Sequence, residues 1–272
     1  MTPLALTALL IAGCVAGFLA GFFGVGGGII LVPILVFYFH SIGVSTLVAT
    51  HLAFGTSLLI IIFASLPSAY EHNKNGNVQW EAVLWIGTAS VVGSLVGASI
   101  AAELHGKTLQ RIFATVVTIA AVRLLLEQRK PKGEPRINLS PVGLGTIGVV
   151  VGLVSSLAGV GGGVFAIPMM YYFMKFPLKK AVGTSSATIV LTAIASTIGY
   201  VVKGWETIEL YAPQYAAFTA GFVDYVHSLP IILGTIPMAK FGAAVAHRTH
   251  ADRLRRIYAV FLLVIATKMF FF

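Results

Sequence analysis

The stretch FFGVGGGIILVP, residues 22–33, places four glycines between positions 24 and 28 and a proline five residues later. It interrupts a run of apolar residues that otherwise reads as helix. Glycine in a helix interior costs about 1 kcal/mol against alanine, so a cluster of them marks a break in the helix. The stretch LAGVGGGVFAIP, residues 157–168, makes the same break again 135 positions later. The physical role of this repeated break decides the fold.

The surrounding composition is that of a membrane protein. The 272 residues are 57% hydrophobic and only 10% charged, with a mean hydropathy of +0.92. Continuous apolar runs of about 18 residues or more recur along the chain, at 3–23, 78–102, 109–126, 140–158 and 182–202. A β-barrel would show short alternating segments instead. The expected fold class is an all-α polytopic membrane protein of about 8–10 membrane helices. The net charge of +9 does not point to nucleic acid, because the basic residues fall in three short loops. The single cysteine, Cys14, excludes an internal disulfide and a Cys-rich metal site. The start, MTPLALTALL, lacks a basic leader and reads as a retained first helix.

Setting 17–33 against 152–168 gives seven identities: Gly17, Gly24, Val25, Gly26, Gly27, Gly28 and Pro33. Two further stretches pair in the same order, ATHLA (49–53) with GTSSA (183–187) and LQRIFA (109–114) with LRRIYA (254–259). Ordered matches at separate places argue for an internal repeat. The chain divides into a first transmembrane repeat at 1–126, a linker at 127–139 and a second repeat at 140–272. The linker is charged and proline-rich, so it lies outside the bilayer.

In each repeat the second apolar piece, 29–40 or 164–174, is too short to cross a core of about 30 Å upright. The first two pieces of each half form one long broken helix or a hairpin that turns back at the glycines. Charge decides between them. With a hairpin that makes no net crossing, Lys175, Lys179, Lys180, Arg248, Arg253, Arg255 and Arg256 fall on the same side as Arg129, Lys130, Lys132 and Arg136 of the linker. The positive-inside rule favours this arrangement, in which the repeats are inverted and the linker is cytoplasmic. It requires the long region 210–247 to cross once.

Inverted repeats with matched breaks point to a secondary transporter with its site near the midplane. Backbone exposed at membrane depth is tolerated only inside protein or along a wet cavity. Gly26, Gly27, Gly28, Gly161, Gly162 and Gly163 let the chain turn with free N–H groups, and the helices that follow aim their positive ends at the turn. Two such ends make an anion site. Gly24, Pro33, Gly159 and Pro168 read as hinges. The matched block adds Thr50, His51, Thr184, Ser185 and Ser186 as polar candidates; hydroxyls donate well to oxyanions, and an imidazole also carries a proton. Thr and Ser in membrane helices also satisfy carbonyls one turn back. Gly13, Gly17, Gly21, Gly93 and Gly97 read as close helix packing instead.

Other charged residues need less. Arg111 with Arg256, and Arg123 with Lys268, match across the repeat near helix ends, where long side chains snorkel, as Lys240 does. Trp80 and Trp205 read as interfacial anchors. Asp224 and His227 fall in a break of the second half with no counterpart in the first. They read as a loop, with a proton-handling spot as the alternative.

The paired blocks GFFGVGGGIILVPIL and SLAGVGGGVFAIPMM, with GTSSA after the second, resemble the TauE/SafE sulfite-exporter-like family of membrane permeases over nearly the whole chain. The resemblance implies a bacterial inner-membrane protein that moves sulfur-containing anions such as sulfite and organosulfonates. The expected partners are a small anion and the lipid bilayer. No cofactor or metal is called for, with proton coupling the one addition to be weighed. An anion channel and a proton-coupled uptake permease are the alternatives. An enzyme is not expected, since the chain has no G-x-S-x-G elbow, no H-E-x-x-H pair and only nine acidic residues.

Overall fold

The computed structural model describes residues 3–126 and 137–246, with positions 263, 264, 266 and 267. Residues 127–136 of the linker, the basic run 248–256, Lys268 and the side chain of Arg123 lie outside the described residues. The described chain is an all-α membrane protein. Its helices are α1 (Pro3–Phe23), α2 (Gly28–Ser41), α3 (Thr46–Lys74), α4 (Trp80–Glu103), α5 (Gly106–Leu126), α6 (Pro141–Ala158), α7 (Gly163–Phe173), α8 (Leu178–Tyr211) and α9 (Tyr225–Ala246). Six of them, α1, α3, α4, α6, α8 and α9, are long and apolar enough to cross a membrane, while α2 and α7 are shorter. Between α8 and α9 lie a 3-10 turn (Pro213–Phe218) and two short antiparallel strands, β1 (Thr219–Ala220) and β2 (Val223–Asp224).

Local chemistry sets the helix ends. Ser45 starts α3 by accepting from the Leu47 amide, and Ser140 starts α6 ahead of Pro141 by accepting from the Gly143 amide, which satisfies donors that a helix start leaves free. α6 ends at Gly159 in the left-handed conformation, with its amide on the Ser155 carbonyl.

The helix directions follow from the contacts. α1 runs parallel to α9, with Gly13, Gly17 and Gly21 set in order against the backbone of Ile231, Thr235 and Ala239. α4 runs parallel to α6 in the same manner, with Gly148 on Ile86 and Gly152 on Ser90. These glycines bring backbones together where lipid supplies no hydrophobic drive. α3 and α8 cross antiparallel: Gly55 abuts Tyr200, and Ser68 Oγ donates to Ser186 Oγ at 3.1 Å.

Both broken pairs are hairpins. Asn138 N, just ahead of α6, donates to the Met174 carbonyl just past α7 at 2.9 Å. The last turn of α2 returns to the start of α9, where the Tyr38 ring stands 5.3 Å from that of His227, and α9 starts beside the start of α1. The region 210–247 adds one crossing, α9. Its first part belongs to an extension of α8 and the two strands, with no equivalent in the short α3–α4 turn.

These directions put the end of α5 and the start of α6 on one face. That face carries Lys74, Lys175, Lys179, Lys180 and, two turns from the end of α9, Lys240, against Glu71 and Glu81. The opposite face carries Lys107, Arg111 and Lys203 against Glu103, Glu206 and Glu209. In a Cys14→Ser background, Lys74→Cys and Lys179→Cys should react with an impermeant maleimide from one side of sealed vesicles, and Lys203→Cys and Glu209→Cys from the other. Labelling of all four from a single side would refute this placement.

Candidate functional site

The two glycine breaks meet each other. Gly24, Gly26 and Gly27 have φ of 66°, 83° and 79°, and Gly159, Gly161 and Gly162 have 64°, 78° and 81°. This left-handed region is open to glycine at no steric cost, so the same backbone path is built twice. Each break leans on the other. A β-carbon at Gly28 would stand 2.6 Å from the Gly159 carbonyl oxygen, and one at Gly163 would stand 2.6 Å from that of Gly24. Ile61 of α3 and Ile189 of α8 reach both tips. Their Cγ2 atoms lie 3.1 and 3.4 Å from a β-carbon built at Gly26, and 2.9 and 3.2 Å from one built at Gly161.

Each break ends in a helix start. Gly27 and Gly162 are the N-caps of α2 and α7, and neither start has a side-chain cap. The first amides of α2 to reach a carbonyl are those of Ile30 and Leu31, both onto Gly27; in α7 they are those of Phe165 and Ala166, onto Gly162. The amides of Gly28 and Ile29, and of Gly163 and Val164, are the leading donors that no preceding turn can satisfy. All four residues are buried. Two positive helix ends therefore converge inside the protein, a geometry suited to negative charge. Pro33 and Pro168 both stand at the sixth residue of their short helices. There each withholds a donor from the carbonyl four residues earlier, on Ile29 and Val164.

The flanking hydroxyls come from a repeat that the pairing of ATHLA with GTSSA misplaced. The tripeptide Gly-Thr-Ser occurs at 55–57 and at 183–185, and its residues do the same work in each place. Gly55 abuts the Phe222 carbonyl, and Gly183 that of Asn77. Thr56 Oγ1 accepts from the Asp224 amide at 2.9 Å, and Thr184 Oγ1 from the Gln79 amide at 3.0 Å. Ser57 Oγ donates to the Gly159 carbonyl at 2.8 Å, and Ser185 Oγ to the Gly24 carbonyl at 3.1 Å. Ile61 and Ile189 follow at the same spacing. The copies lie 128 residues apart, against 135 for the glycine blocks, and that change of spacing hid Thr56, Ser57, Ile61 and Ile189. The repeated tripeptide itself was the readable signal.

The structure thus brings Ser185 to the first break, while Thr184 Oγ1 meets the Gln79 amide ahead of α4. Ser186 sits beside them, donating to the Val182 carbonyl and accepting from Ser68. It does not bring Thr50 and His51 there. Gln110 Nε2 donates to Thr50 Oγ1 at 2.9 Å. His51 Nε2 lies 3.1 and 3.0 Å from the carbonyls of Ala101 and Leu104, and its ring stacks on Phe222 at 4.9 Å. The last carbonyls of a helix need outside donors, and His51 closes the end of α4. His51 therefore has no place opposite Ser185, and the two halves meet the breaks with the same hydroxyl chemistry.

A model of the family described as Sulfite exporter TauE/SafE matches residues 9–269. A probable membrane transporter protein of Haemophilus influenzae is 30% identical over 261 residues, 96% of each chain. One of Methanocaldococcus jannaschii is 29% identical, covering 93% of this chain and 90% of its own. The probable membrane transporter protein YdhB of Bacillus subtilis is 28% identical over 84% of both.

Removing a hydroxyl from a buried carbonyl costs about 1–3 kcal/mol. Ser57→Ala and Ser185→Ala should each lower the thermal midpoint of the purified protein, and the double variant should fall further. Unchanged midpoints in all three would remove these hydroxyls as supports of the breaks.

Proposed function

Since the chain belongs to the TauE/SafE family and is a membrane transporter, we propose that it is a secondary transporter that exports small sulfur-containing anions such as sulfite or organosulfonates. The anion is held between the starts of α2 and α7 by backbone amides of Gly26–Gly28 and Gly161–Gly163. The observation that carries this reading is the reciprocal meeting of the two breaks, each with unspent helix-start donors directed into the protein. The substrate class rests on the family's description; a compact oxyanion suits a site made of amides with few side chains around it.

In this reading the repeats are inverted and alternating access rocks one against the other. The antiparallel crossing of α3 and α8, whose Gly-Thr-Ser segments occupy matching places, supports the inversion. The lysine-rich face at the end of α5 and the start of α6 supports a cytoplasmic linker in a bacterial inner membrane. An inside-negative potential favours export of an anion by about 2.3 kcal/mol per charge per 100 mV. Ile61 and Ile189 stand at both tips, which fits a gated carrier better than an open channel.

Counterflow in proteoliposomes tests the reading. Labelled sulfite or sulfoacetate should exchange against the same unlabelled anion, with chloride inert. Gly26→Ala and Gly161→Ala place a methyl at the tip and in a left-handed conformation that costs about 1–2 kcal/mol, so each should slow exchange by about tenfold in protein that remains monodisperse. Exchange at the wild-type rate in both variants would displace the anion from the breaks, and current without counterflow would make the protein a channel.

A further inference from the structure

Asp224 is 1% exposed, and it has no acidic counterpart, because Gln79 holds the matching place ahead of α4. Its Oδ1 accepts from the His227 amide at 2.8 Å, which caps α9. α4 starts at Gln79 without any side-chain cap, so the shared frame does not require one. The second oxygen, Oδ2, lies 2.6 Å from His227 Nδ1, and the pair is the one ion pair among the described residues. Ala82 occupies the place of His227 in the first half. The His227 side chain is 13% exposed, and no hydrogen bond is described for its Nε2, leaving that atom to meet a proton from the face opposite the linker.

We propose that Asp224 and His227 form a proton-binding pair that couples proton entry to anion exit; this rests on the transporter reading above. His227 Nε2 takes a proton from water, Nδ1–H stays on the carboxylate, and the imidazolium is neutralised by Asp224. An ionisable pair within a membrane protein marks a proton path. The titratable groups around it are the phenol of Tyr38 on α2, within electrostatic reach of Asp224 and in turn of Tyr215 on the 3-10 turn, and Tyr225, whose hydroxyl donates to the Ala217 carbonyl. From α3 the neighbour is the hydroxyl of Thr56. Lysine and arginine are absent from the pair's described contacts.

Two routes lead from the pair to the breaks. The Asp224 amide is held by Thr56, whose neighbour Ser57 holds the Gly159 carbonyl. The His227 ring packs on Tyr38, in the last full turn of the half-helix that begins at the Gly27 break.

Asp224→Asn keeps an oxygen that caps α9 equally well while removing the charge, and His227→Gln removes the imidazole. Infrared difference spectra between acid and neutral pH, taken on reconstituted protein without substrate, should show a carboxylate–imidazole protonation signal that both variants lose. An identical spectrum in wild type and both variants overturns the proposal. Vesicles loaded with sulfoacetate and clamped in potential should release it faster when the outside is made acidic, with acidification of the lumen. A gradient of about one pH unit corresponds to about a tenfold bias per proton coupled, and Asp224→Asn should lose that bias while retaining homoexchange. A bias that persists in Asp224→Asn, or homoexchange lost together with it, overturns the coupling. Wild-type protein that exchanges no sulfur anion defeats the transporter reading instead, while the infrared signal still decides the proton site.

Discussion

Backbone amides and carbonyls at membrane depth must find partners within the protein, and everything else in this structure is arranged around two places where the helix ladder is cut. At each cut the left-handed glycines expose a carbonyl on one side and helix-start amides on the other. The carbonyls of Gly24 and Gly159 are claimed by Ser185 and Ser57. The leading amides of α2 and α7 have no preceding turn and no side-chain cap to meet. One buried backbone defect is thus divided into an acceptor half, satisfied by the scaffold, and a donor half, the one assigned above to the proposed anion.

The scaffold can hold two such defects because its helix pairs are locked by close backbone approach. α1 with α9, and α4 with α6, pack through matching glycines at one-turn intervals, leaving α3 and α8 to cross between them. The frame is repeated, but its chemistry is not. Along α4, α6 and α8, Ser90 meets Thr192 at 2.8 Å, Ser156 meets Ser196 at 2.7 Å, and Tyr200 donates to the Ser156 carbonyl at 2.8 Å. The corresponding places along α9, α1 and α3 hold Thr235, Ala64, Gly21, Ser68 and His72. There His72 Nε2 lies 3.3 Å from the Gly21 carbonyl, and Thr235 Oγ1 donates to the Gly13 carbonyl at 3.1 Å, so both seams carry interhelical bonds, worth about 0.6 kcal/mol each in membranes, but from different side chains.

The same inequality appears at the ends of the repeats. The turn from α3 to α4 is short, whereas α8 runs on to Tyr211 and returns through the 3-10 turn and strands. That insertion delivers Phe222 to Gly55 and His51, and Asp224 to Thr56. A transporter whose halves differ in this way has distinct chemistry on its two faces, although its two glycine breaks are built alike.

Helical membrane architecture and the position of both breaks were legible in the sequence, because apolar run length and glycine conformation are local properties. The placement of lysine and arginine favoured the hairpin, since a charge excess is read from loops without knowing how helices pack. The polar side chains were not legible in the same way. His51 looked like a site residue because it is ionisable and within a span, but only the packing of α4 against α3 shows that it closes a helix end. Thr56 and Ser57 lay in plain view within a repeated tripeptide, and only the antiparallel crossing of α3 and α8 shows which carbonyls they serve. Which polar group meets which is set by contacts between residues far apart in the chain, and those exist only once the helices have packed.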